Sequence, residues 1–516
     1  MSDIIFPSQR PSRTKIVATV GPACDSESAL TQLMLCGVTV FRLNMAHGSG
    51  TEDAQRRLDL IRSAAEKLGR PIGVLADLAG PKMRLGEIDG GAYNCDPKRP
   101  IRFVRGERTD APHTFTTTYE PLIDDLNIND NVMLADGTVT LRVVDKSPDA
   151  VTCAVVQGGV VRSRQGVNLP GVNLSIKTLQ PHDIVHAKWA VGAGIDFLGL
   201  SFVRSAEDIH ELREILADTV HRNTGLFGDI PHIIAKIEKQ EAVENIEEIT
   251  DAANGVMVAR GDLGVELDIA RIATVQKMII DTCRRKLKPV IVATQMLESM
   301  HSHTIPTRAE ATDVANAIID GADATMLSGE TAVGAYAVEA VRMMNRIAEE
   351  TEKFILRKGW YKQDGVNRGL KIRETGWSNK NKTENEIEDE NKIIVGKLPV
   401  TYAICSAAVG LAEAINAKRI LIASRSGVSV MGLSNLRSSV QIIGTSHNPR
   451  ILNRMNLYWG VIPVLNAPND PRESLKEIVE VGKKTGRFER GDRLVLVSTM
   501  GPTSENHNII YAHVVD

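Results

Sequence analysis

The sequence predicts an α/β protein: a (β/α)8 barrel of the TIM type, interrupted by an inserted β-barrel lid domain and followed by a C-terminal α/β domain. Three observations carry that prediction. Eight short β-branched runs recur through the first two thirds of the chain, most of them separated by amphipathic helical stretches. Their apolar residues are continuous rather than alternating, as in parallel strands covered on both faces. Two long segments, one after the third run and one after Glu350, break the alternation. A doubly wound open sheet is the alternative, but eight β/α repeats favour closure into a barrel.

In order the runs are Lys15–Val20, Thr39–Asn44, Ile72–Asp77, Asp196–Phe202, His232–Glu238, Gly255–Arg260, Pro289–Thr294 and Ala324–Ser328. Between Lys82 and about Ser175 the helical period disappears and runs such as IRFV, NVMLADGTVTLRVV and AVTCAVVQGGVV take over. This reads as an inserted β lid, residues 82–175, that divides the barrel into 1–81 and 176–356. Residues 357–396 are rich in charge and Asn without apolar periodicity, the composition of a linker. From 397 to 516 helical patterns alternate with RILIAS, VQIIGTS, GVIPVL and RLVLVS, as in a separate α/β domain.

At 516 residues the chain exceeds what one core usually organises, and 43% hydrophobic with 24% charged residues is an ordinary globular balance. A net charge of −3 gives no general attraction to nucleic acid or anionic membrane, so phosphate binding has to come from local Arg and Lys. The six cysteines are scattered, with no CxxC pair and no zinc spacing, which suits free thiols in a reducing, cytoplasmic compartment. The N-terminus lacks a signal-peptide pattern, and no segment is long and uncharged enough to span a bilayer.

Barrel enzymes gather reacting groups at the C-terminal ends of their strands. Here the runs end in Arg42-Leu43-Asn44, Asp77, Lys236-Ile237-Glu238, Arg260-Gly261-Asp262, Thr294-Gln295 and Ser328-Gly329-Glu330. Any one of these could simply cap the next helix; the full set argues for a site. Lys236 and Glu238, two apart on a strand, share one face and so the barrel mouth. Asp262, from the next strand end, is placed to join Glu238 around a hard divalent ion, Mg2+ or Mn2+, which takes a few carboxylates and completes its shell with water and substrate oxygens. A bare Lys236–Glu238 salt bridge is the plainer alternative. Lys236, Arg42 and Arg84 offer the positive charge that phosphoryl transfer needs around the moving group. The Gly261-Asp262 peptide, at a strand-to-helix turn, is expected to present N–H groups to a substrate carboxylate.

In these and neighbouring blocks the chain resembles the pyruvate kinase family. TKIVATVGPA, RLNMAHGS, DLAGPKMR, GVNLPG, AKIEKQEAVENIEEI, GVMVARGDLGVEL, PVIVATQMLESM and PTRAEATDVANAIIDGADATMLSGETA occur in that family's order across almost the whole length. The resemblance implies transfer of a phosphoryl group from phosphoenolpyruvate to ADP, giving pyruvate and ATP as the last step of glycolysis, by a homotetramer. Carried over by position, it implies that Lys236 stabilises the phosphoryl group in flight and that Glu238 and Asp262 bind the divalent metal. Gly261, Asp262 and Thr294 would hold phosphoenolpyruvate, Arg42 would touch the transferring phosphate, and Asn44, His47 and Arg84 would lie near the nucleotide phosphates. The proton for the enolate would arrive on the side of Thr294, with Ser328 nearby. The inserted domain matches the family's mobile lid, whose closure excludes competing water.

Departures from the family pattern carry expectations of their own. Potassium-dependent relatives usually have Glu at Lys82, Thr at Leu78 and Ser at Ala46. An ammonium on Lys82 can take the place and charge of a bound K+, with Asn44 and Asp77 as partners, so K+ is expected to be dispensable. Arg164-Gln165 precedes GVNLPG, where many relatives have a lysine directly before the glycine. Ser424, Arg425, Ser426, Gly427, Val428 and Ser429 resemble the family's effector loop, whose backbone N–H groups can cradle a phosphate. Ser498–Asn506 lacks the Trp-Arg-Pro pattern of members regulated by fructose bisphosphate, so another sugar phosphate or a nucleotide monophosphate is the expected effector. Two rival functions were weighed: a metal-dependent lyase or aldolase acting on pyruvate or oxaloacetate, and a catalytically silent regulatory paralogue. Lys236, Arg42 and the lid weigh against the first, and the full set of metal and phosphoryl-handling residues against the second.

Overall fold

The computed structural model describes residues 12–46, 50–135, 137–172, 174–222, 230–358, 400–465, 471–498 and 509–516. The chain divides into two compact units, Met1–Arg42 with Arg56–Val74 and Met296–Asp516, and Leu43–Gln55 with Leu75–Gln295. The strands are β1 (Lys15–Thr19), β2 (Val38–Asn44) and β3 (Gly73–Asp77), then β4 (Ala92–Cys95), β5 (Ile101–Val104), β6 (Thr114–Phe115), β7 (Asn131–Leu134), β8 (Val139–Ser147), β9 (Ala150–Gln157), β10 (Gly159–Arg162) and β11 (Val167–Asn168). The barrel resumes with β12 (Phe197–Leu200), β13 (His232–Ile237), β14 (Gly255–Ala259), β15 (Val290–Ala293) and β16 (Ala324–Leu327).

The barrel closes in the order β1-β16-β15-β14-β13-β12-β3-β2. Each strand lies within two residues of its expected run, and all its residues are buried except Arg42, Asn44 and His232. Burial on both faces is what the continuous apolar runs forecast, and each Val, Ile or Leu so placed contributes about 1.5–3 kcal/mol. The helix Arg308–Asp320, between β15 and β16, has both ends fixed locally. Thr307 Oγ1 accepts the Glu310 N–H while Glu310 Oε2 accepts the Thr307 N–H, and Gly321, at φ 104°, closes its last turn. The helix Ala337–Lys358 runs past the expected start of the linker, so the 357–396 segment opens inside it; the rest of that segment lies outside the described residues.

The inserted segment folds as expected from its alternating runs. A six-stranded sheet, β11-β7-β8-β9-β5-β6, and a two-stranded ribbon, β10-β4, enclose one apolar core that includes Cys95, Phe103, Phe115, Leu141 and Val161. Along β8, Val139, Leu141 and Val143 are buried while Arg142 and Val144 are exposed, the period-2 pattern of a sheet with one wet face.

The C-terminal domain begins with the helix Val400–Ala414 and carries β17 (Arg419–Ala423), β18 (Ile442–Ser446), β19 (Val461–Leu465), β20 (Arg493–Ser498) and β21 (Ile509–Val514), ordered β19-β18-β17-β20-β21. Four of these were expected. The antiparallel edge strand β21 was not: its apolar residues IIYA form one short run without alternation, and none of its residues is buried. Within the first unit, Arg437 pairs with Asp323 at 3.0 Å and stacks on Trp459 at 5.0 Å, with Arg13 on the same ring at 5.4 Å. Among the described residues no helix is long and apolar enough to cross a membrane. All six cysteines are free.

Candidate active site

The site is built within the second unit, at the C-terminal ends of β3 and β12–β15. Lys236, one residue before the end of β13, is only 8% exposed. Its Nζ lies 2.8 Å from Glu238 Oε1 and 3.3 Å from Asp77 Oδ1, and donates to Ser201 Oγ at 2.7 Å. Ser201 Oγ in turn donates to the Leu78 carbonyl at 2.7 Å, and the Phe202 N–H donates to Glu238 Oε2 at 2.7 Å. Gly199 makes room for this packing, since a β carbon there would stand 2.7 Å from Asp77 Oδ1.

Strand β14 runs directly into the helix Arg260–Glu266, which brings Asp262 to the cluster. Burial pushes the Glu238 carboxyl up; Lys236 opposes the rise and the nearby Asp262 charge adds to it, leaving Glu238 at about 7. Two carboxylates, Asp77 and Glu238, meet the Lys236 ammonium, and the charge of Asp262 acts on Glu238. The carboxylate oxygens of Glu238 and Asp262 suit a hard divalent cation.

Strand β15 ends in two consecutive residues with left-handed backbones, Thr294 at φ 64° and Gln295 at φ 54°. For side chains that are not glycine this costs on the order of 1–3 kcal/mol each. Arg260 holds the turn: its Nη2 donates to the carbonyls of Thr294 at 2.7 Å and Gln295 at 3.0 Å. The turn presents Thr294 Oγ1, which accepts the Gly261 N–H at 2.7 Å and donates to the Ala293 carbonyl at 2.7 Å. The left-handed turn brings the Thr294 hydroxyl over the Gly261 N–H, which donates to it.

Lys82 is exposed, and among the described residues its ammonium makes no hydrogen bond or ion pair, whereas Asp77 is engaged by Lys236. The buried lysine reaches Asp77 along the barrel wall, while Lys82 sits on the loop that follows β3 and faces a cleft. That cleft, between barrel and lid strands of the same unit, is lined by Pro81, Lys82, Asn168, Arg204, Lys239 and Asp262 among others.

The other expected residues are spread more widely. Asn44 Oδ1 accepts the Ala46 N–H at 3.2 Å, and Arg84 Nη1 donates to the Arg164 carbonyl at 3.1 Å. Arg164 pairs with Glu87 at 2.7 Å, and Gln165 Oε1 accepts the Arg162 N–H at 2.6 Å. Arg42 and Ser328 belong to the first unit. Arg42 Nη1 donates to Thr19 Oγ1 at 3.2 Å, and Ser328 N–H donates to Glu330 Oε2 at 2.7 Å. His47 lies outside the described residues.

Sequence reasoning assigns no role to Ser201, Phe202, Lys239 and Glu266, and names Arg260 only as a strand-end residue. Ser201-Phe202 closes the fourth run, so the logic applied to the other strand ends would have found it. Lys239 and Glu266 form a buried pair at 2.5 Å, with 6% and 1% of their side chains exposed. No motif advertises that pair, because Lys239 points away from Glu238 and meets Glu266 one helical turn beyond Asp262.

Comparison with known proteins agrees with this geometry. Residues 11–341 match the family described as "Pyruvate kinase, barrel domain", and residues 402–513 match "Pyruvate kinase, alpha/beta domain". A pyruvate kinase of Geobacillus stearothermophilus is 37% identical over 511 residues, 98% of this chain and 80% of that protein. One of Mycobacterium intracellulare is 36% identical over 514 residues, 97% of this chain and 98% of that protein. The crystal structure of a pyruvate kinase from Cryptosporidium parvum superposes with a TM-score of 0.86 at 29% identity, covering 98% of this chain and 97% of that one. With a closed barrel, a charged cluster at its strand ends and similarity along nearly its full length, the chain belongs to the pyruvate kinase family.

Proposed function

We propose that the strand-end cluster transfers the phosphoryl group of phosphoenolpyruvate to ADP with Mg2+ or Mn2+ held by Glu238 and Asp262. The observation that most supports this is the buried ammonium of Lys236, 2.8 Å from Glu238 and 3.3 Å from Asp77, with the charge of Asp262 acting on Glu238. When bound, the ion supplies positive charge to the substrate oxygens and to the group in transfer. Lys236 supplies the protein's own charge to the equatorial oxygens. Gly261, Asp262 and Thr294 position phosphoenolpyruvate, which requires the substrate carboxylate to take the Gly261 N–H from Thr294 Oγ1. Released from that bond, the Thr294 hydroxyl is free to orient a water toward the enolate carbon. Asn44 and Arg84 serve the ADP phosphates, and the lid strands exclude water from the transfer.

Four finer readings accompany the reaction. Lys82, on the cleft that Asp262 also lines, supplies the charge a bound K+ gives in potassium-dependent relatives once substrate draws its ammonium inward. The loop Ser424, Arg425, Ser426, Gly427 and Ser429 takes a phosphorylated effector. The chain works as a homotetramer. A cytoplasmic location, where pyruvate formation completes glycolysis, suits six free thiols.

Steady-state assays of ADP-dependent pyruvate formation test the reading. Turnover is expected with Mg2+, none with chelator, and equal rates in tetramethylammonium buffer with and without KCl. Lys82→Glu is expected to introduce a K+ requirement. Pyruvate formed without ADP would favour the lyase alternative, and a large K+ requirement in the unaltered chain would remove the role given to Lys82.

A further inference from the structure

Loops of the first unit bring together three side chains that the phosphoryl-transfer reading does not use. Glu298 and His301 stand at the two ends of the 3-10 turn Glu298–His301 after β15, and Glu330 lies in the short helix Gly329–Ala332 after β16. One ligand atom from each lies within 4.8 Å of the other two. His301 Nε2 is 3.7 Å from Glu298 Oε1, beyond hydrogen-bonding distance. That nitrogen is shielded from solvent and has no hydrogen-bond partner among the described residues.

Glu330 gives the second observation. It is 1% exposed, and its carboxylate is held by backbone N–H groups, those of Leu297 at 3.1 Å and Ser328 at 2.7 Å besides its own. Among the described residues no cation pairs with it, and the Glu298 carboxylate adds like charge. A buried carboxylate without a counter-charge is costly to keep ionised. Gly329 shapes the cradle: a β carbon there would collide with the His301 imidazole, so the glycine is what lets the ring sit over this loop.

We propose that Glu298, His301 and Glu330 form a second divalent-cation site, selective for a transition ion such as Zn2+ over Mg2+. One imidazole with two carboxylates is a three-ligand set for Zn2+, leaving a fourth position for water. The nitrogen donor disfavours Mg2+, which keeps to oxygen ligands and octahedral geometry. Glu330 keeps a lone pair after accepting its backbone bonds, and Glu298 is exposed and able to swing inward. The ion would bond the loop after β15 to the loop after β16. This site shares no ligand with Glu238 and Asp262, so it stands or falls apart from the catalytic reading.

Zn2+ titration by calorimetry in the presence of saturating Mg2+ tests it. The full chain is compared with His301→Ala and Glu298→Gln, two changes at unburied side chains. One Zn2+ per chain is expected for the unaltered protein, with affinity at least about tenfold weaker in both variants. Pyruvate formation with Mg2+ alone is expected to be unchanged in both. A protein that takes no Zn2+ under excess Mg2+, or a His301→Ala variant that binds it as tightly as the unaltered chain, would overturn the proposal. In the second case the uptake belongs to thiols or to the Mg2+ ligands.

Discussion

The strand-end cluster of the second unit and the Ser424–Ser429 loop of the first are both polar turns between a strand and a helix, yet they are built on opposite plans. In the cluster, Lys236, Asp77 and Glu238 are almost wholly buried, and two carboxylates share one ammonium while the charge of Asp262 acts on Glu238. In the loop, the polar groups close on themselves. Ser424 Oγ accepts the Gly427 N–H at 3.0 Å, Ser426 Oγ accepts the Val428 N–H at 3.5 Å, and Arg425 is exposed. The first arrangement holds more acidic than basic groups and suits a cation. In the second, a ligand bound by the Gly427 or Val428 N–H has to displace a serine hydroxyl.

The contrast predicts a graded series of responses. Lys236→Met should have the largest effect, lowering kcat by about 10²–10³-fold or more, as when a donor aimed at developing charge is removed. Near-normal turnover in that variant would place the cluster outside the chemistry.

Lys239→Met comes next. It strands Glu266, whose carboxyl burial already pushes up against the pull of Lys239, and breaking a buried pair costs roughly 3–5 kcal/mol. Urea denaturation measures the loss, and the double variant Lys239→Met with Glu266→Leu should recover most of it. A Lys239→Met variant as stable as the parent would mean that the pair is not buried in solution.

Arg425→Ala should have the smallest effect, within about 0.5 kcal/mol of parental stability, as for an exposed residue without close partners. Basal rates should be unchanged, while activation by phosphorylated metabolites at subsaturating phosphoenolpyruvate is lost. Activation that survives the substitution would remove Arg425 from any effector site.

The barrel was legible because parallel strands buried on both faces leave continuous apolar runs, which survive without knowledge of tertiary contacts. The same property marked the strand ends, where Asp77, Lys236 and Glu238 interrupt apolar sequence and meet in space. Pairings decided by side-chain direction were not legible. The sequence pairs Asp77 with Lys82, while in the structure the buried Lys236 is 3.3 Å from it. The Gly261 N–H has a partner from β15 that only the left-handed turn at Thr294 brings within reach. Edge strand β21 escaped notice for the complementary reason: half-exposed residues leave no periodic signature strong enough to read.

Arg260 has a consequence for how this enzyme can change over evolutionary time. Its guanidinium belongs to the helix that bears Asp262, while the carbonyls it grips belong to the turn that aims Thr294. An insertion or a drift in either loop is therefore transmitted to the other, and the two must be inherited as one module. Diversity among descendants of this chain should accumulate away from these two coupled loops.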